Sequence, residues 1–136
     1  MATPFVFEIV TPDKMLFEAD NVVYVGCRAL TGNLGLKAKH LPIIATLDVA
    51  PMKIEFEDGS VQKFAVCGGF LEMKDNKCTV LATIAEPGDE IDVARAESAK
   101  TRAEERLTAR AADLDVKRAQ LALKKALARL KVAGTN

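Results

Sequence analysis

Apolar and polar side chains alternate along the first part of the chain, as in residues 5–10 and 52–57. This period of two is typical of strands that bury one face. Turn signals separate such segments, and the strongest is Asp58-Gly59 between two alternating runs. Short strands at this spacing predict an all-β sandwich or barrel. The turn signals are Thr11-Pro12-Asp13, Leu30-Thr31-Gly32-Asn33, Glu57-Asp58-Gly59-Ser60 and Lys74-Asp75-Asn76-Lys77.

A different pattern follows Pro87-Gly88. From Asp89 to Ala133 the sequence contains no Gly, Pro or aromatic residue. It is rich in Ala, Leu, Arg, Lys and Glu, which are good helix formers. The acids Asp89, Glu90 and Asp92 suit the positive end of a helix dipole. We therefore predict a β domain over residues 1–87 and a helical domain over residues 88–136.

The helical domain has no Gly or Pro to mark a turn, so its conformation is open to two alternatives. A hairpin would turn between Thr108 and Asp113, with Asp113 or Asp115 capping the second helix. A continuous helix of about 40 residues would be roughly 60 Å long at 1.5 Å per residue. Because residues 93–106 are rich in Ala, a hairpin would bury little apolar surface. We expect a weakly held hairpin that is able to extend.

The two parts of the chain carry opposite charge. Residues 1–90 have 8 Lys+Arg and 13 Asp+Glu, whereas residues 91–136 have 11 and 6, so the net charges are −5 and +5. The cations of the helical domain recur every seven residues and so form one face. This face either is exposed to solvent, on a helix that packs through its leucines, or contacts an acidic partner. This basic face comprises Arg110, Lys117, Lys124 and Lys131 in one row and Arg118 and Lys125 in a second.

No residue pattern indicates catalysis or metal binding. The three cysteines, Cys27, Cys67 and Cys78, form no Cys-x-x-Cys pair and are expected to be small buried hydrophobes in a reducing compartment. The glycines of segments 32–36 and 68–72 lack the Lys-Ser/Thr of a phosphate loop. The second segment predicts a bulge or a close backbone approach. No metal ligand set is expected.

The N-terminal residues and the apolar runs argue against a leader or a membrane span. The first residues have no basic region and reach an acid at Glu8, so we expect no signal peptide. The apolar runs are far shorter than the roughly 20 residues that a membrane span needs.

Four motifs stand in order along the chain and are followed by the helical tail. Together they resemble the epsilon subunits of bacterial F-type ATP synthases, over essentially the full length. The resemblance implies a flattened β-sandwich of about ten strands followed by a two-helix hairpin. The motifs are Val10-Thr11-Pro12-Asp13, Gly32-Asn33-Leu34-Gly35-Leu36 with His40-Leu41-Pro42, Gly68-Gly69-Phe70-Leu71-Glu72, and Ile91-Asp92-Val93-Ala94-Arg95-Ala96.

The resemblance also implies partners and a role. The protein would be a non-catalytic rotor subunit at the cytoplasmic face of the bacterial inner membrane, bound peripherally to the gamma subunit and the c ring. Extended helices would meet acidic segments of the alpha and beta subunits and inhibit ATP hydrolysis; no nucleic acid is expected. In Lys37-Ala38-Lys39 and at Asn33 the sequence departs from the usual family residues, which makes this loop more basic. The rotor contact residues would be Asn33, Lys37, Lys39 and His40.

In nucleotide-binding members of this family, an Ile/Leu-Asp-x-x-Arg-Ala motif holds ATP and stabilises the folded hairpin. The resemblance therefore implies ATP as a regulatory ligand, without a need for Mg²⁺ and with no required cofactor. Lys125 stands where an Arg is usual, and lysine offers a point charge instead of a bidentate fork. Asp92 and Arg95 could instead pair with each other on the helix. The implied ATP residues are Glu86, Ile91, Asp92, Arg95, Ala96, Arg102, Lys125 and Arg129.

Two other readings of the chain remain open at this point. A free-standing adaptor or chaperone-like module, with a β body and helices that grip clients, would be indifferent to ATP. A small β-barrel enzyme lacks a credible set of acid, base, nucleophile or metal ligands in the sequence.

Overall fold

The computed structural model describes residues 2–110 and 114–134. Seven strands precede a short 3-10 helix at Gly88–Glu90 and two α-helices. The predicted β domain followed by two helices is confirmed. The strands are β1 (Phe5–Val10), β2 (Met15–Ala29), β3 (Gly32–Leu36), β4 (Ile43–Phe56), β5 (Val61–Lys74), β6 (Lys77–Ala82) and β7 (Ala85–Pro87), and the helices are α1 (Val93–Ala109) and α2 (Val116–Val132).

The strands form one hydrogen-bonded network that closes on itself. Their order is β1-β6-β5-β4-β2-β3, with β7 beside β5, and β1 also pairs with β2. The first half of β2 pairs with β1, and its second half pairs with β3 and β4. One long strand therefore serves two parts of the sheet, and the closure gives a barrel-like sandwich.

The expected count of about ten strands is higher than the seven that the structure shows. Strands β2, β4 and β5 run for 15, 14 and 14 residues, respectively. The β2–β4 pairing contains register shifts between Val22 and Tyr24 and between Gly26 and Ala29. Such irregularities bend a strand without ending it. Each long strand is therefore one continuous strand in the structure, whereas separate shorter strands were expected in its place, and this lowers the total number.

The core lies between the layers and confirms the period-two pattern. Phe5, Phe7 and Ile9 are buried on one face of β1. The ring of Phe17 lies 6.2 Å from that of Phe7 and 5.2 Å from that of Phe64, measured between centroids. Aromatic pairs at these distances stabilise beyond the area that they bury. The aromatic cluster therefore joins β1, β2 and β5.

All four predicted turns separate strands. Asp75 and Asn76 have φ values of 51° and 60°, as a tight hairpin of the primed type requires. Gly69 shows the predicted close approach, because a β-carbon there would overlap the carbonyl oxygen of Leu81. Its φ of 123° also favours glycine.

The hairpin predicted for the helical domain is present. Asp92 and Asp115 cap α1 and α2, since each carboxylate accepts a bond of 3.0 Å from a backbone N–H three residues later. Arg110 ends α1 with a φ of 46°, so a non-glycine residue makes the break. Asp113, the other predicted cap, lies outside the described residues. No helix in the described part of the chain is long and apolar enough to cross a membrane.

Most of the buried residues of the two helices are alanines. The contact of α1 is mainly with α2, which also packs on β4 and β5. Leucine packing is incomplete along α2, because Leu121 and Leu127 are 43% and 41% exposed, whereas Leu130 is buried. Small side chains let α2 approach its neighbours closely but bury little area. The buried helix residues are Ala96, Ala103, Ala119, Ala126, Ala128, Leu130 and Val132.

Candidate hairpin-docking site

The outer face of β5 is the floor on which α2 lies. Phe64 and Val66 point into the sandwich core, so Ala65 and Cys67, which alternate with them, point outward. Both outward residues are nevertheless buried, and Cys67 is only 6% exposed. Because α2 packs on β4 and β5, we infer that it covers them. Burial raises the pKa of the Cys67 thiol.

A first ion pair joins the end of α2 to the last strand of the body. Arg129 Nε donates to Glu86 Oε1 over 2.6 Å, and both side chains are partly buried. The charges of Arg129, Lys125 and Glu86 all act on the Cys67 thiol. These three residues therefore form a cluster above the outward face of β5.

A second ion pair joins the middle of α2 to β4. Lys124 Nζ donates to Asp48 Oδ1 over 2.8 Å, and Arg28 Nε lies 3.6 Å from Asp48 Oδ2. The backbone N–H of Val49 also donates to Asp48 Oδ1, at 2.8 Å. The hydrogen bond from Lys124 is the largest cause that lowers the pKa of Asp48. The carboxylate is thus held by donors from the hairpin and from the body.

The linker between the domains meets the end of α2. A β-carbon placed on Gly88 would lie 2.6 Å from the carbonyl oxygen of Val132 and 3.2 Å from Val132 Cγ1. Only a residue without a side chain leaves this space free. The hairpin therefore contacts the rest of the chain at three places: its ion pairs with Asp48 and Glu86, and the close approach of Val132 to Gly88.

A cleft of about 1,010 Å³ remains between the hairpin and strands β2, β3 and β4. The ring of Tyr24 lies over Gly26 and Gly35, where added β-carbons would come within 3.0 Å and 2.7 Å of Tyr24 atoms. The cleft is lined on the helix side by Lys124 and Lys131 of the basic face. Its presence shows that the hairpin does not fill the surface on which it lies.

The predicted ATP residues are only partly brought together. Arg129 pairs with Glu86, and the charges of Lys125 and Glu86 both act on the Cys67 thiol. Asp92 is used as the cap of α1, where it binds the backbone N–H of Arg95. Among the described residues, no salt bridge joins the side chains of Asp92 and Arg95.

The remaining ATP residues lie on α1 or just before it. Ala96 is buried and Ile91 is half-buried, whereas Arg95 and Arg102 are exposed. None of the eight predicted residues lines the large cleft. ATP binding at this set therefore stays a prediction.

Docking of the hairpin places one part of its basic face against the body and leaves the other part exposed. Lys124 is bound to the body and Lys131 lines the cleft, while Lys117 and Arg118 are exposed. Arg110 is exposed and directly follows α1, so it does not lie on α2 with the others. Docking thus occupies part of this face and leaves the rest to solvent.

Three of the four predicted rotor contact residues lie at an exposed end of the body. Lys37, Lys39 and His40 are exposed in the loop after β3. Lys39 donates its backbone N–H to Asn76 Oδ1 over 2.8 Å, so this loop is tied to the β5–β6 turn. Asn33 lies apart from them on β3, at the rim of the cleft.

Two residues that contact the hairpin, Asp48 and Gly88, were not predicted from the sequence. Asp48 did carry a signal, because it is the one charged side chain between His40 and Lys53. A lone acid in an apolar strand usually has a partner. Gly88 carried none, since a glycine in a linker reads as an ordinary turn residue.

Metal binding finds no support in the described part of the chain, where no group of three or more His, Cys, Asp or Glu residues is placed to hold an ion. All three cysteines are free and buried, as expected. Burial raises the pKa of the Cys27 thiol to about 11 and that of Cys78 to about 12. They are unreactive thiols in this conformation.

These features define a class of two-part proteins, in which a β-sandwich carries a C-terminal helical hairpin on its outer face. The family model for the ATP synthase Delta/Epsilon chain beta-sandwich domain matches residues 4–88, and the model for its long alpha-helix domain matches residues 89–134. The chain belongs to the ATP synthase delta/epsilon chain family.

Curated relatives support the same assignment over nearly the whole chain. The ATP synthase epsilon chain of Pelotomaculum thermopropionicum is 52% identical over 127 residues, which cover 93% of each chain. Those of Brevibacillus brevis and Bacillus subtilis are 47% and 45% identical, over 93% of this chain and 95% and 94% of theirs.

Solved structures show the same fold at low sequence identity. A chain of the Euglena gracilis mitochondrial ATP synthase, from a structure of OSCP, F1 and c-ring, superposes with a TM-score of 0.83 at 19% identity. The match covers 98% of this chain and 82% of that one. A chain of the Tetrahymena thermophila mitochondrial ATP synthase central stalk and c-ring gives 0.55 at 20% identity, over 65% and 70%.

Proposed function

We propose that the protein is a non-catalytic rotor subunit of an F-type ATP synthase. It binds the gamma subunit and the c ring through its β domain, peripherally at the cytoplasmic face of the membrane, and couples proton flow to the catalytic head. The observation that carries the proposal is the match of both parts of the fold, in order, to the two domains of the epsilon chain family. The mitochondrial assemblies that contain its structural neighbours support the same partners.

The hairpin is the regulatory part in this proposal. When it extends, its cations meet acidic segments of the alpha and beta subunits and block ATP hydrolysis. Three observations support such a motion: five of the seven buried residues of the described helices are alanines, a cleft remains under α2, and only two salt bridges join the helices to the body in the described residues. Elements held in this way lie at the low end of local stability.

ATP is the proposed ligand of the compact hairpin. Lys125 and Arg129, four residues apart on α2, supply two cations for phosphate, and Glu86 pairs with Arg129. In the compact hairpin Glu86 already holds Arg129, so a phosphate group has to take over that contact. The binding free energy would add to the few contacts that hold α2, and it would be lost on extension because α2 would move away from Glu86.

Purification from membranes tests the main proposal. A tagged chain should co-purify with the complete ATPase in mild detergent, and adding it to an enzyme that lacks it should restore ATP-driven proton pumping. If the chain is recovered alone and pumping does not change, the rotor assignment is wrong and the adaptor alternative gains support.

A further inference from the structure

Asp48 lies where the basic face of α2 meets the body. Its Oδ1 accepts bonds of 2.8 Å from Lys124 Nζ and from the backbone N–H of Val49. On the other side, Arg28 Nε lies 3.6 Å from Oδ2, and the Arg28 side chain is 58% exposed. Lys124 is the residue of the basic face that the body binds through a salt bridge in the described part of the chain.

One ammonium group cannot serve two distant carboxylates at the same time. In the compact hairpin Lys124 neutralises Asp48, and in an extended hairpin the same ammonium group is free for an acid on the partner. Extension leaves Asp48 with Arg28 and the Val49 N–H alone. The two conformations therefore compete for one cation.

We propose that Asp48 is an internal competitor of the acidic partner that receives the basic face, and that its carboxylate sets how readily α2 leaves the body. This inference rests on the proposed function, in which the extended helices meet acidic segments of the catalytic head. It identifies the Asp48 carboxylate as the group on the body with which those segments compete for Lys124.

Competition for Lys124 predicts a different pair of mutant effects on ATP hydrolysis than a general loosening of the hairpin does. Asp48→Asn removes the internal competitor and keeps Lys124 for the partner, so hydrolysis by the assembled enzyme should become more strongly inhibited. Lys124→Gln also frees α2 but removes the partner contact, so inhibition should not deepen. A hairpin that is merely loosened would respond to both substitutions in the same direction.

The three cysteines provide a reporter of hairpin release in the full-length chain. Cys67 is buried on the outer face of β5, against which α2 packs, whereas Cys78 is fully buried in the sandwich core. Cleavage at Lys and Arg places Cys27, Cys67 and Cys78 in three different peptides, 15–28, 64–74 and 78–95. Mass spectrometry after N-ethylmaleimide treatment therefore measures the opening at Cys67 separately from global unfolding at Cys78.

We expect Asp48→Asn to raise the labelling rate of Cys67 about three- to tenfold, the range for one ordinary intramolecular hydrogen bond, while Cys78 stays protected. Glu55→Gln is the matched control, because Glu55 lies on the same strand and pairs with Lys53 at 3.9 Å, within the body. This control should leave Cys67 unchanged. In a Lys124→Gln background, Asp48→Asn should add nothing, since the pair is already broken.

The outcomes separate the two proposals. If Cys67 and Cys78 of the unmodified chain are labelled at the same rate, the hairpin is released only by global unfolding, and the proposed regulatory motion fails together with this inference. If Cys67 is labelled faster than Cys78 but Asp48→Asn does not change its rate, only the role of Asp48 is wrong. Equal deepening of inhibition by Asp48→Asn and Lys124→Gln would also overturn that role.

Discussion

Nε of Arg129 lies 2.6 Å from Oε1 of Glu86, and this bond ties the last turn of α2 to the last strand of the body. Arg129 is 43 residues from Glu86 in the sequence. Lys125 stands one turn earlier on the same side, since its charge also acts on Cys67. The pair thus marks both the docked state and the proposed place of phosphate.

Arg129→Ala should abolish stabilisation by ATP, because it removes the guanidinium that the phosphates require. Arg95→Ala should do the same, and Lys125→Arg should strengthen binding through bidentate contact. In the unmodified chain a hundredfold excess of ATP over its Kd should stabilise the compact hairpin by about 2.7 kcal/mol. Titration calorimetry and the melting temperature give the measurement.

Lys131→Ala is the control for the ATP experiment, because Lys131 is a cation of α2 that lies outside the proposed ATP set. It should leave the binding heat unchanged. If the unmodified chain gives neither binding heat nor a shift in melting temperature with millimolar ATP, the motif around Asp92 is only a helix start.

Gly88→Ala should release the hairpin without changing any charge. The added methyl group would meet the carbonyl oxygen of Val132 at 2.6 Å, so either the linker or the end of α2 has to move. We expect faster labelling of Cys67 by N-ethylmaleimide, with Cys78 still protected. An unchanged Cys67 rate would show that the linker absorbs the methyl group and does not fix α2.

Acidification should loosen the hairpin through Asp48. Because Lys124 lowers the pKa of Asp48 below its ordinary value of 3.8 in the compact state, the stabilisation is present above that value. It is lost as the pH falls through the lower, compact-state pKa. NMR titration of the Asp48 carboxyl should show its pKa rising towards 3.8 in Lys124→Gln. If Lys124→Gln leaves this pKa unchanged, the contact is not maintained in solution.

Lys117→Ala with Arg118→Ala should relieve inhibition of hydrolysis while leaving the hairpin docked. Both side chains are exposed in the compact state, so their removal costs the body no contact. Each surface pair is worth only about 0–1 kcal/mol, which is why two substitutions are combined. Steady-state hydrolysis by the assembled enzyme is the measurement, with Arg106→Ala on α1 as the control. Unchanged hydrolysis, in an enzyme that tail deletion activates, would exclude these residues from the inhibitory contact.

Phe64→Ala should destabilise the β domain by about 3–5 kcal/mol, because it leaves a cavity in the aromatic cluster. Phe64 has no exposed surface, and its ring lies 5.2 Å from that of Phe17. Phe70→Ala on the same strand should cost much less, since Phe70 is 54% exposed. Denaturant unfolding followed by circular dichroism compares the two. Similar losses would mean that Phe70 also packs in the folded protein.

Local features were predictable from the sequence. The alternation of β1 and the turns at Asp58-Gly59 and Asp75-Asn76 depend on neighbouring residues, so pattern and turn chemistry identify them. The helix starts at Asp92 and Asp115 are local for the same reason, because a capping carboxylate binds a backbone N–H three residues away.

The docking of the hairpin was decided only by the tertiary structure. Lys124 and Asp48 are 76 residues apart, and no periodicity in either segment indicates which outward strand face α2 will cover. The continuity of β2, β4 and β5 likewise depends on pairing with several neighbours, so it is not visible in any single segment. Sequence pattern determines which side of a strand or helix is apolar, but the choice of a distant partner depends on shape and charge that exist only once both surfaces are formed.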